Sequence, residues 1–254
     1  MIIDTHAHIC DVRFDNDREE VIKKTFNLGV KKIIEVACET NYWDKALKLS
    51  KRDNIFVSFG IHPIDVFQAT LKNYCKLEIL VQSAKCVAVG EFGLDYHYNS
   101  SPENIELQKK SLARQFNIAI KYNKPVIIHC RDAYDDMIMF LKEYENVIKG
   151  VIHCFSGSLK QAKVFVEMGF LLGIDGPITY KKSKALKQIV CETDISKLLV
   201  ETDCPYLTPQ KYRGQRNEPS YLLEVVKAIA SIKNISVNDV AQITTCNAVN
   251  LFNI

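Results

Sequence analysis

Apolar residues gather in short runs along the chain, and between the runs apolar positions recur at helical spacing. Runs near residues 31–37, 55–60, 86–93, 125–130, 150–155, 170–175 and 197–203 predict seven strands, and the opening stretch MIIDTHAHIC predicts one more before them. Helical spacing is found over 17–28, 42–50, 65–83, 102–122, 133–144, 158–168, 184–191, 220–231 and 236–252. In the first of these, Val21, Ile22, Thr25 and Leu28 share a face and Gly29 ends the pattern. Ser101 is placed as an N-cap with Pro102 in the first turn after it.

The strands are continuous Val/Ile/Leu runs rather than strict alternations, as suits a parallel sheet buried on both faces. Strand and helix alternate eight times in 254 residues, which predicts one domain, 1–254, folded as a single α/β (β/α)8 TIM-type barrel. A doubly wound open sheet is the alternative. It is weakened because no GxGxxG or Walker loop follows any strand.

Composition is that of a soluble globular protein, 47% hydrophobic and 25% charged. A net charge of +3 does not by itself imply nucleic acid. No apolar run reaches the ~18 residues of a membrane span. Nine cysteines are scattered without a framework spacing, and the first strand starts at once with no secretory segment. Reduced thiols and a cytoplasmic location are therefore expected, with no obligate protein partner evident.

Polar residues then change the picture. Period two puts Asp4, His6 and His8 on one strand face, and two imidazoles so spaced can hold one ion. All six histidines (His6, His8, His62, His97, His129, His153) fall at or just past the C-terminal ends of predicted strands. Glu91 and Asp203 end strands four and eight. In a barrel those ends form one mouth. Imidazole and carboxylate are ligands for divalent transition metals. His6, His8, Glu91, His129, His153 and Asp203 are too many for one catalytic zinc but suit two ions sharing a carboxylate. Glu201, two residues before Asp203, and Asp4, two before His6, are expected to take the free N–H of ligand histidines. Cys130, Cys154 and Cys204 each follow a ligand and by alternation should face the helical shell as apolar packing.

In this order DTHAH, GIHP, GEFGLDYH, HCRDA, HCFSG and LLVETDCPYL, followed by RNEPSYL, resemble the TatD family of metal-dependent deoxyribonucleases within the amidohydrolase superfamily. The resemblance spans essentially the whole chain. It implies a TIM barrel and a hydrolase that cleaves DNA phosphodiesters by metal-activated water, often as a 3′–5′ exonuclease supplied with magnesium. By motif it carries over the same six ligands, with Glu91 as the bridge. For the two divalent ions, four imidazoles favour zinc, manganese or nickel, whereas the family is usually run with magnesium. Phe92 and His97 sit where family members vary.

Basic loops support a phosphodiester independently. Lys181, Lys182 and Lys184 follow strand seven; Lys211, Arg213 and Arg216 follow strand eight. Arg131, two residues past His129, Arg213 and Arg216 are candidate phosphate contacts, and His62 is a candidate for substrate or a further ion. Tyr96, Tyr98, Tyr206 and Tyr212 could stack bases. Asp203, with Glu91, is expected to be catalytic, orienting the attacking water or taking its proton. Two alternatives remain: an ester or amide hydrolase such as a D-aminoacyl-tRNA deacylase, and a metal- or nucleic-acid-binding protein without turnover.

Overall fold

A computed structural model describes residues 2–144 and 147–254. Met1, which the reading above includes in the first strand, lies outside them. The first half runs β1 (Ile2–Ala7), α1 (Arg18–Asn27), β2 (Val30–Ala37), α2 (Trp43–Leu49), β3 (Ile55–Phe59), α3 (Leu71–Leu80), β4 (Cys86–Asp95) and α4 (Pro102–Lys121). The second half runs β5 (Val126–Arg131), α5 (Tyr134–Lys142), β6 (Gly150–Ile152), α6 (Leu159–Glu167), β7 (Leu171–Ile174), α7 (Lys184–Glu192), β8 (Leu198–Val200), α8 (Leu222–Lys233) and α9 (Val237–Phe252).

The eight strands form one parallel sheet in sequence order, β1 to β8. It closes on itself through a single bridge, Ala7 to Cys204. Side chains reinforce that seam: the hydroxyl of Thr202 donates to Asp4 Oδ2 at 2.6 Å, its amide to Asp4 Oδ1 at 3.0 Å, and the Thr5 hydroxyl to the Val200 carbonyl at 3.0 Å. This is the (β/α)8 barrel.

Alternation along each strand divides the core in two. Ile33, Val57, Val89, Ile128, Ile152, Leu172 and Val200 pack outward against the helices. Ile34, Val36, Ala88, Ile127, Val151 and Leu199 fill the barrel, joined by Ala248 and Phe252 of α9. Continuous apolar strands follow from this, since both faces are buried. The helices start where capping residues allow. Ser101 accepts from the Asn104 amide, Ser158 and Gln161 form a capping box, and Ser236 accepts from the Asp239 amide.

The expected helix over 65–83 is two pieces. A 3-10 segment, Pro63–Gln68, ends at Ala69, and Thr70 caps α3 by accepting from Asn73. The ladders of β6 and β8 also end earlier than their apolar runs. The backbone turns at Cys154 (φ +44°) and Asp203 (φ +55°), so His153 and Asp203 leave the sheet and project into the mouth. β4 instead continues two residues past its expected end, to Asp95.

Candidate metal centre

His6 and His8 lie at the end of β1, their Nε2 atoms 3.2 Å apart. His8 donates from Nδ1 to the Val36 carbonyl at 2.7 Å, which turns Nε2 toward His6 and Asp203. Glu35 fixes the loop just beyond by accepting from the Ile9 and Cys10 amides at 2.7 and 3.2 Å. Across the seam Asp203 Oδ1 stands 3.3 Å from His8 Nε2 and 3.8 Å from His6 Nε2.

Glu91 enters from β4. The β4–β5 register shifts between Gly90 and Phe92, so Glu91 sits at a bulge that turns its side chain into the barrel. Its two oxygens face opposite ways. Oε2 is 3.4 Å from His6 Nε2 and Oε1 is 2.8 Å from His129 Nδ1. The approach of β5 is close: a Cβ on Gly93 would lie 1.9 Å from the His129 carbonyl, which requires glycine there. His62 Nε2 is 3.1 Å from His129 Nδ1 and 3.7 Å from Glu91 Oε1. His153 stacks on His6 with ring centroids 3.4 Å apart, and its Nε2 is 3.6 Å from Asp203.

Burial of so many ionisable groups would be costly unless they were paired. Burial alone would raise the Glu91 carboxyl, but His153, His6 and His62 around it hold it well below the usual range. Burial likewise works against an ionised Asp203, yet His8, His153 and His6 keep it low. Burial, with His129 alongside, pushes His62 down to about 3, so that ring is neutral; its Nδ1 accepts from the Ile64 amide at 3.2 Å, which leaves the ring proton on Nε2. Ligand atoms of His6, His8 and Asp203 converge within 4.8 Å of one another, and so do those of His62, Glu91 and His129. Burial works against charge on His8, His129 and His153 as well, yet Asp203, Asp95 and Glu201 beside them push these rings up. Imidazoles meeting ionised carboxylates in this way are a donor set that fits divalent metal once it displaces those protons.

Supporting groups hold these side chains. Glu201 Oε1 lies 2.7 Å from His153 Nδ1 and also accepts from the Cys154 amide at 2.7 Å, as the two-residue spacing to Asp203 predicts. Asp4 corrects its expectation. It accepts from Thr202 and from the His6 amide, not from the His6 ring, whose Nδ1 has no hydrogen-bond partner among the described residues. The register shift in β1 after Asp4 turns that carboxylate into the seam.

Three features were missed by the sequence reading. Asp95 Oδ2 lies 2.9 Å from His129 Nε2, while Oδ1 accepts from the His97 and Tyr98 amides. It shares Glu91's period-two spacing, a signal hidden because the strand was ended at Gly93. Gln108 and Gln115, seven residues apart on α4, each hold a backbone by both its amide and its carbonyl. Gln108 grips Asp95 and Gln115 grips Ile61, next to His62. Cys38 stands beside His8 and Glu91.

The mouth opens as a cavity of about 540 Å³ lined by Arg131, Tyr98 and Tyr206 as well as by His8, Glu91 and Asp203. Arg131 donates from Nη1 to the Tyr98 hydroxyl at 3.3 Å and lies over that ring. Arg213 is exposed and packs over Tyr180, outside the cavity lining. Arg216 is not at the mouth. Its guanidinium grips Asp17 through both oxygens, at 2.9 and 2.6 Å, and covers Phe14. Tyr96 donates to Asp136 and Tyr212 stacks on Tyr221. His97 pairs with Asp132. Cys204 is buried in the outer layer as expected; Cys130 is buried there too but, like Cys154 at its positive φ, reaches the cavity lining.

A parallel barrel whose strand ends gather imidazoles and carboxylates around one cavity defines a class, the metal-dependent barrel hydrolases. Known proteins narrow it. The family described as TatD related DNase matches residues 3–253, and the chain belongs to that family. The uncharacterized metal-dependent hydrolase YabD of Bacillus subtilis is 40% identical over 256 residues, covering all of both chains. A protein of Salmonella typhimurium named 3′-5′ ssDNA/RNA exonuclease TatD is 30% identical over 261 residues, covering 100% of this chain and 99% of its own. The crystal structure of the TatD homologue YjjV of Escherichia coli K12 superposes with a TM-score of 0.94 at 31% identity, over 100% of this chain and 98% of that one. The protein is thus a metal-dependent hydrolase of the TatD family.

Proposed function

We propose that the protein is a nuclease that hydrolyses phosphodiester bonds of DNA, stepwise from a 3′ end, using two divalent ions. The observation that carries this reading is Glu91, whose two oxygens face two separate groups of imidazoles. His6, His8, Glu91 and Asp203 would hold one ion, and Glu91, His129 and His153 the other, with zinc, manganese, nickel or magnesium as candidates. When bound, such a pair supplies an activated water and neutralises charge on the phosphate oxygens.

The chain's own groups do the rest. Asp203, ionised and at the cavity wall, orients the attacking water and takes its proton. Glu201 and Asp95 fix the rings of His153 and His129, and Val36 fixes that of His8. Arg131 offers a planar fork to a phosphate, and Tyr98 and Tyr206 offer ring faces for unpaired bases. The exonuclease name of the Salmonella relative supports this direction of action.

The test is to incubate metal-loaded protein with labelled single-stranded DNA, double-stranded DNA, RNA and D-aminoacyl-tRNA. Nucleotides released from a 3′ end of DNA are expected. Release of the amino acid alone would establish the deacylase instead, and no product from any substrate would leave only binding.

A further inference from the structure

Three strands around the cavity, β5, β6 and β8, can be followed along their inner faces, the last two into the loops that succeed them. Ile127 leads to His129, Val151 to His153, and Leu199 through Glu201 to Asp203, each at a spacing of two. The same step along β2 leads from Ile34 and Val36 of the barrel interior to Cys38. Cys38 therefore occupies in β2 the place that His129 occupies in β5, two residues past an interior apolar side chain. Its Sγ, a ring nitrogen of His8 and a carboxylate oxygen of Glu91 all lie within 4.8 Å of one another. Its carbonyl accepts from the His62 amide at 3.0 Å, which fixes the backbone beside the centre. Among the described residues no other cysteine joins such a group. Cys10, Cys86, Cys130 and Cys204 are buried elsewhere, and Cys75, Cys191 and Cys246 are exposed.

We infer that Cys38 is a thiolate ligand of the metal centre, on the ion shared by His8 and Glu91, and that it biases the centre toward thiophilic ions. The inference rests on the reading of this cavity as a metal site. Metal–donor bonds of about 2.0–2.3 Å put neighbouring donors around one ion about 3–3.5 Å apart, so sub-ångström movements of these side chains close the group. As the metal–sulfur bond forms, the S–H proton leaves to solvent, because only the thiolate ligates. Thiolate favours zinc, cobalt(II) and cadmium, whereas magnesium prefers oxygen. A centre of imidazole and carboxylate alone would discriminate less.

The test loads the full chain with cobalt(II) under reducing, oxygen-free conditions. It measures bound cobalt together with the sulfur-to-cobalt charge-transfer absorption in the near ultraviolet. The wild type is expected to bind cobalt and show the band. Cys38→Ser and Cys38→Ala are expected to keep cobalt and its visible bands but lose the charge-transfer band. Their preference for zinc over magnesium should fall by at least the roughly 10–100-fold that losing an outer partner of a ligand costs. Cobalt bound without the band in the wild type, or a band that survives in both variants, overturns the assignment while leaving the metal centre standing. A wild-type protein that binds no cobalt overturns the metal reading and this inference with it.

Discussion

Two carboxylates of the mouth separate by what they touch. Asp203 faces His8, His6 and His153 and borders the cavity, whereas Asp95 is buried and touches only the outer nitrogen of His129 and two loop amides. Asp203→Asn keeps shape but loses basicity, so kcat should fall by ~10²–10⁴ while the ions held by Glu91, His129 and His153 stay. Steady-state rates against added manganese check this; full rescue at saturating metal would make Asp203 a ligand alone. Asp95→Asn should act on affinity, weakening metal binding roughly 10–100-fold with the kcat of the saturated enzyme nearly kept, as equilibrium dialysis would show. The histidines that meet at the mouth were readable because each ends an apolar run, and Glu201's place beside His153 because it stands two residues from Asp203. Asp95 was not, since the bulge at Glu91 carries β4 past the glycine that marked its end. Cys38 looked like one scattered cysteine among nine, although its spacing from Ile34 and Val36 was in plain view. Asp4 was misplaced because alternation assumes a regular strand and β1 shifts register after it.

Among the described residues, the order and type of the eight strands and nine α-helices followed from apolar runs and caps, with the stretch 65–83 split in two, because propensity, capping and burial agree there. What the pattern could not foretell is where long-range partners pull a segment. Arg216 reads as a loose cation in a basic loop, yet its partner Asp17 is 199 residues away, just before α1. Arg216→Ala should therefore cost about 0.5–1 kcal/mol of stability and leave the salt dependence of DNA binding unchanged. Arg131→Ala should instead flatten that dependence by about one unit of slope, with stability nearly unchanged. Titrations of both variants over a salt series distinguish the roles. At the junction of β1 and β8, Thr202→Val removes the hydroxyl that Asp4 accepts from and leaves a buried carboxylate short of a donor. A loss of about 1–3 kcal/mol is expected, seen as a lower urea midpoint at constant m-value.

For the molecule as a whole, metal and fold are linked. His6 and His8 come from the first strand and Asp203 from just after the last, so an ion held among them fastens the barrel where its ladder is thinnest. At a hundredfold excess over its dissociation constant such an ion adds ~2.7 kcal/mol, roughly 5–10 °C in Tm for a chain of this size. Chelation should lower the calorimetric midpoint by that amount and re-addition should restore it; an unchanged midpoint would place the ion outside the seam. The seam also sets a timetable. Asp4 and Thr202 meet across 198 residues of chain, so β1 cannot complete its pairing until the eighth strand exists. During synthesis the ribosome releases β1 first and Asp203 near the end. Until then the growing chain lacks the residue that would move the proton and the wall on which β1 closes. On the role proposed for Asp203, the chain would stay inert while it is being made, and a truncated product that stops before Asp203 would be silent rather than partially active.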